Sequence, residues 1–144
     1  MVKANRNTYA SGNKPRALED GSKEFTYEEG GFKLRDRYFG FNPFAGETVV
    51  WRDGKIHWVM NYYGWSKSGE VSDEQVFAFL RKALVQVKAE RPFRGPSEFK
   101  EGEFRYTDRS EGDVKSFRGV ETIYYKGWEA HHVIYHGGIV KDKT

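Results

Sequence analysis

Two glutamates, Glu47 and Glu121, sit in runs of strand-forming residues, each shortly after a glycine (Gly46 and Gly119). Strand alternation puts Glu47 on one face with Val49 and Trp51, and Glu121 on one face with Ile123 and Tyr125. A carboxylate that shares a face with rings and aliphatics is costly to bury without a partner. Two such carboxylates facing one cleft can hold a cation, or divide the roles of acid and base. The competing reading is structural: each carboxylate caps backbone N–H groups beside its glycine. Tyr62 and Tyr135 each stand two residues before a glycine. They can donate hydroxyls into the same cleft, or serve as core rings with a wet tip. Trp51, Trp58, Tyr63, Tyr125 and Trp128 can stack on a flat ligand or box a cation, or simply pack across hairpin strands.

Other chemistries find less support. His131 and His132 are consecutive, so a strand sends them to opposite faces. His132 and His136 share a face but stand about 13 Å apart at the usual strand rise. No helical His pair and no carboxylate-rich loop accompanies them, so no metal and no cofactor is expected. His136 with Asn61 is a candidate polar pair. The sequence contains no Gly-x-Ser-x-Gly elbow, and its glycine pairs, Gly30-Gly31 and Gly137-Gly138, read as turns or strand ends rather than phosphate cradles. The absence of cysteine removes disulfide and thiol chemistry. Asp36-Arg37 and Asp108-Arg109 read as ion pairs or turn formers.

The elements that must position these residues come from an internal repeat. Glu29-Gly30-Gly31-Phe32-Lys33-Leu34-Arg35-Asp36-Arg37 aligns without a gap on Glu101-Gly102-Glu103-Phe104-Arg105-Tyr106-Thr107-Asp108-Arg109. Phe44 to Val49 matches Phe117 to Ile123 with one inserted residue, which makes Glu47 and Glu121 equivalent. Gly54, Tyr62 and Gly64 fall on Gly127, Tyr135 and Gly137. An offset that stays at about 72–74 residues, roughly half the chain, is the signature of a duplicated unit. The repeats span about 21–64 and 95–138, and each reads as three strands. Asp53-Gly54 is a two-residue hairpin signal, and Lys126-Gly127 stands in its place in the second repeat.

Between the repeats one helix is expected over about Asp73 to Glu90, ended by Pro92. Ser72 and Gln75 form a capping box, and Asp73 and Glu74 suit the positive end of the dipole. Val76, Leu80, Ala83, Leu84 and Val87 form an apolar stripe for packing on a sheet. The segment Val2 to Tyr9 is short for a helix of its own, and Ala10 to Asp20 and Trp65 to Val71 read as loops. The whole is an α+β fold: duplicated three-strand units in antiparallel sheet with one main helix on it, in a single domain over residues 1–144. That length is enough for one buried core.

Several stretches bear a resemblance to a known family. Tyr38-Phe39-Gly40, Phe44-Ala45-Gly46-Glu47, Trp58-Val59-Met60-Asn61-Tyr62-Tyr63-Gly64, Arg94-Gly95-Pro96 and Tyr135-His136-Gly137-Gly138 together resemble the microbial family called domain of unknown function 5680. The resemblance runs from about Thr8 to Val140. It implies a sensor or ligand-binding module with no known substrate, with the family's leading helix clipped here. That family also occurs behind a helix-turn-helix module, which this sequence lacks, so DNA binding is not carried over. A looser, fold-level analogy is to GyrI-like effector domains, duplicated units with a ligand cleft at the axis between their halves.

Charge narrows the partners. The chain has 24 Lys and Arg against 21 Asp and Glu, a net +3 with the signs mixed, which argues against a dedicated nucleic-acid binder. No apolar run approaches the length of a membrane span, and no secretory leader is visible at Met1 to Arg6, so no membrane partner and a cytoplasmic location are expected. The expected function is a small-molecule-binding or sensor module with an aromatic cleft between the repeats. Glu47, Glu121, Trp51, Tyr125, Tyr62, Tyr135, Trp58 and His136 are the candidate ligand-binding residues, and the ligand is a small, flat or cationic organic molecule. Two alternatives stand beside it: a small hydrolase or isomerase using a Glu/Tyr acid-base site, and an interaction module acting through a strand edge.

Overall fold

The turns decide the architecture. Asp53 and Gly54 take φ of 50° and 79°, and Lys126 and Gly127 take 50° and 82°. Both residues of a tight hairpin turn of this hand need positive φ, which glycine adopts freely and other residues only at a cost. In a computed structural model of the chain, describing residues 14–67, 69–86 and 95–143, these turns join long antiparallel strands. The strands are β1 (Arg16–Ala17), β2 (Lys23–Glu29), β3 (Phe32–Gly40), β4 (Phe44–Arg52), β5 (Lys55–Ser66), β6 (Glu98–Glu101), β7 (Phe104–Asp113), β8 (Ser116–Tyr125) and β9 (Trp128–Ile139). They form one nine-stranded sheet in the order β1-β2-β3-β4-β5-β9-β8-β7-β6. All its pairings are antiparallel. From the β5/β9 seam, four strands run outward on each side as successive hairpins, with β1 added at one edge. At the seam Tyr62 lies opposite Tyr135.

Each side therefore holds four strands rather than the three expected. The outer strands β2 and β6 are hairpin partners of β3 and β7. Arg16–Ala17, expected within a loop, pairs as β1 with Ala17 opposite Lys23.

The helix, α1 (Asp73–Val85), starts as its sequence dictates. Ser72 Oγ accepts from Gln75 N at 3.2 Å, and Gln75 Oε1 accepts from Ser72 N at 3.0 Å. The helix ends at Val85, with Gln86 as its C-cap, five residues short of the expected Glu90. Val87, Pro92 and Arg94 lie outside the described residues, as does Val2 to Tyr9.

Alternation along the strands divides the sheet into two faces. One, the inner face, carries α1. Val76, Phe79, Leu80, Ala83 and Leu84 of the helix pack with Tyr106, Ile123 and Ala130 into one core cluster, so the helix sits on the β6–β9 side. A second cluster lies across the seam: Leu34, Val50, Trp58, Met60 and Tyr62 with Phe117, Val133 and Tyr135. Among the described residues no helix is long and apolar enough to cross a membrane.

Candidate functional site

Because α1 lies over β6–β9, its Phe77-Leu80-Arg81 edge overhangs the inner face of the other side and leaves a cavity of about 310 Å³ beneath it. The sheet supplies the floor: Phe25 from β2, Asp36, Tyr38 and Gly40 from β3, Phe44 from β4 and Tyr62 from β5. These residues share a face because they are register neighbours. Phe25 is opposite Asp36, and Phe44 is opposite both Gly40 and Gly64. Phe41 and Phe77 close one wall, their rings 5.0 Å apart, and Lys14, Lys23 and Arg81 line the rest with Pro15. Phe25 and Tyr38 stack at 6.4 Å, and Phe44 lies 6.1 Å from both Tyr62 and Phe77. Six aromatic rings therefore line a space of the size that takes a small ligand.

Polar groups on the floor are few and held in place. Tyr62 donates its hydroxyl to Asp36 Oδ1 at 2.5 Å. The Tyr38 hydroxyl is raised above its ordinary value of 10.0, first by burial and then by the nearby Asp36 charge, so it stays a donor through the neutral range.

The other side of the seam repeats this anchor in closed form. Tyr135 donates to Asp108 Oδ1 at 2.5 Å, with Asp108 only 3% exposed and Tyr135 fully buried. Next to it, Glu121 lies opposite Asp108 in register and accepts the Tyr106 hydroxyl at 2.5 Å. His131 Nε2 is 3.7 Å from Glu121 Oε1, and His131 Nδ1 is 2.9 Å from Ser66 Oγ. Serine, histidine and glutamate thus follow one another as in a nucleophilic relay. Phe44 stacks on the His131 ring at 6.0 Å and Phe77 meets its edge at 5.6 Å. Ser66 is 7% exposed and His131 and Glu121 are sealed, so the relay meets no substrate, and His131 Nε2 makes no hydrogen bond among the described residues.

The eight residues singled out from sequence separate accordingly. Glu47 and Glu121 do not share a cleft. Gly46 is the partner of Tyr62, and Gly119 is the partner of Tyr135, so these glycines are counterparts without any inserted residue. Thr48, not Glu47, then matches Glu121: Thr48 is opposite Asp36, and Glu121 is opposite Asp108. A slip of one residue sends a side chain to the other face. Glu47 lies on the outer face with its side chain 43% exposed, 3.9 Å from Arg35. Trp51 is also on the outer face, beneath Lys33 and Arg35 at 5.4 and 5.3 Å. His136 stands there opposite Asn61, as the expected polar pair requires. Trp58 is buried at the seam, stacked on Phe117 at 5.5 Å, with its indole N–H donating to the Val114 carbonyl at 2.8 Å. Tyr125 packs on Phe104 at the far end of the second side, ring centroids 4.9 Å apart. Of the eight, only Tyr62 lines the cavity, while Tyr135 is its buried counterpart. Tyr63 and Trp128 are exposed, Trp128 at 79%.

Phe25, Asp36, Tyr38, Phe41, Phe44 and Phe77 were not singled out as ligand contacts. Asp36 was visible as a repeated acid, read as an ion-pair or turn partner of Arg37, and its contact with Tyr62 emerges only once the strands are paired. Among the described residues no group of three or more His, Cys, Asp or Glu can hold a metal ion. No curated protein and no solved structure matches this chain. A family profile matches residues 36–140, which take in the β3–β5 floor and the whole β6–β9 side, and the chain belongs to that family, described as Domain of unknown function (DUF5680).

Proposed function

We propose that the protein is a small-molecule-binding module whose ligand lies under α1 on the β2–β5 side of the sheet. The observation that carries this reading is the 310 Å³ cavity walled by Phe25, Tyr38, Phe41, Phe44, Tyr62 and Phe77. Rings at this density provide area for a flat apolar body, and Tyr38 and Asp36 provide orientation. The cleft at the seam, expected from the repeat, is filled by Trp58, Phe117 and the two tyrosines. The ligand site therefore belongs to one side alone.

Duplication of a four-strand unit is part of the same reading. It is supported by the mirrored strand order, the paired Asp–Tyr anchors and the matched turns. On this account one copy was closed by the helix and the other was left open for binding.

The test is a thermal-shift screen of bicyclic aromatic compounds against the wild type and Tyr38→Ser. Tyr38 is half-buried, stacks on Phe25 and packs at the margin of the seam cluster, so its loss opens the wall without removing a fully buried core residue. A ligand that raises the wild-type Tm should shift the variant by less than half as much. Equal shifts in both proteins would place the ligand elsewhere.

A further inference from the structure

We infer that the ligand of this cavity carries a negatively charged group, so that it is an aromatic acid rather than the cation expected from paired glutamates. The inference rests on the binding-module reading above. Its observation is the state of the bases around the cavity. Lys14, Lys23 and Arg81 all line it, and among the described residues no carboxylate pairs with any of them. Their immediate neighbours are paired. Arg16 holds Glu24 at 2.5 Å, and Lys82 holds Glu101 at 2.7 Å. Acids thus reach bases close by in the sequence, while among the described residues the bases of the cavity itself have no carboxylate partner.

The single acid on the floor does not reverse this balance. Asp36 already accepts the Tyr62 hydroxyl. Lys23 lies opposite Tyr38 in register, at the outer strand, and Arg81 descends from the helix. A ligand whose ring lies on Phe44 and Phe77 shares the cavity with Lys23 and Arg81. A guanidinium and an ammonium there match a carboxylate or phosphate by charge-assisted hydrogen bonds. Tyr38, held protonated, adds a neutral donor to the same lining.

The experiment is calorimetric titration of the full chain with three isosteric probes: 2-naphthoate, 2-naphthamide and 2-naphthylmethylammonium. The same titrations are run on Lys23→Gln/Arg81→Gln. Lys23 is exposed and Arg81 half-buried, so the variant keeps both core clusters. The naphthoate should bind about tenfold or more tighter than the amide, with the ammonium weakest. In the variant the acid and the amide should bind alike, with the amide's affinity unchanged. Equal binding of acid and amide in the wild type, or tightest binding of the ammonium, overturns the acid inference and leaves the binding module standing. An acid preference that survives intact in the variant also overturns it, because another group must then set the preference. Failure of all three probes to bind the wild type overturns the binding-module reading, and this inference falls with it.

Discussion

The two sides of the β5/β9 seam carry the same anchor in opposite states. On one side Asp108 and Tyr135 are sealed beneath the fold, and on the other Asp36 and Tyr62 hold the same 2.5 Å contact at the floor of a cavity. The two sides share an outward order of four antiparallel strands, with a register shift after Val50 in the β4/β5 pairing and after Ile123 in the β8/β9 pairing. What differs is the cover. The apolar stripe of α1 packs on Tyr106, Ile123 and Ala130 on the β6–β9 side. Among the described residues, the β2–β5 side receives only the Phe77-Leu80-Arg81 edge of the helix, and the cavity lies at this edge.

The largest expected effect tests whether the two anchors differ in kind. Asp108→Ala strips the partner from a buried tyrosine hydroxyl and removes packed volume, and should cost about 3 kcal/mol of unfolding free energy. Asp36→Ala leaves the Tyr62 hydroxyl beside a cavity that admits water, and should cost about 1 kcal/mol. Urea denaturation of the two variants measures the difference. Equal costs would mean that the cavity floor is as closed as its counterpart, and the comparison would break.

A second effect separates the two glutamates. Glu121→Gln alters a fully buried network in which Glu121 accepts the Tyr106 hydroxyl and lies 3.7 Å from His131, and should cost about 2 kcal/mol. Glu47→Gln changes an exposed side chain near Arg35, and should fall within about 0.5 kcal/mol of wild type. A loss at Glu47 as large as that at Glu121 would mean that the outer face carries an interface or a network of its own. The same variants re-examine the cation-binding role expected of these residues, since neither lines the cavity.

What the sequence made legible follows the range of the interactions involved. Asp53-Gly54 and Lys126-Gly127 announce hairpins because the turn conformation is set by those two residues alone. Ser72 and Gln75 announce the start of α1 because a capping box closes within four residues. Tyr62 and Tyr135, expected as equivalents, lie opposite each other at the seam. The equivalence of Glu47 and Glu121 was not sound, because identity of residue type outweighed strict spacing. One inserted residue is a small cost in an alignment and an inversion of face in a strand. Gly119 carried the corrective signal: a Cβ there would come within 2.3 Å of the Tyr135 hydroxyl, and one at Gly46 within 2.6 Å of the Tyr62 hydroxyl, which fixes these glycines as counterparts. That signal exists only once the strands are paired. The cavity was not legible for the same reason, since it depends on which half the helix covers, and the two halves offer it similar faces.

The smallest effect lies at the open edge of the cavity side, where β2 and β3 meet the turn before them. Asp20 accepts from Ser22 N at 3.0 Å and from Ser22 Oγ at 2.5 Å, and pairs with Arg37. The Ser22 hydroxyl first, then the Ser22 backbone N–H, lowers the Asp20 carboxyl from its ordinary 3.8 to about 2, with Arg37 adding to the shift. A carboxylate lowered by folding stabilises the native state at pH values above its unfolded value and loses that contribution as the pH falls. The loss here runs from about pH 3.8 down to about pH 2. Asp20→Asn cannot ionise, so it should be slightly less stable than wild type at neutral pH, and the two stability curves should converge as the pH approaches 2. Arg109, which stands where Arg37 stands on the other side, pairs with no carboxylate among the described residues, so Arg109→Gln should leave the acid limb unchanged. Urea midpoints at several pH values from 7 to 2 compare the three proteins. If Arg109→Gln flattened the acid limb as much as Asp20→Asn, the turn before β2 would not be what distinguishes this edge. If Asp20→Asn left the limb unchanged, the Asp20–Ser22–Arg37 cluster would contribute nothing to holding the cavity's outer wall.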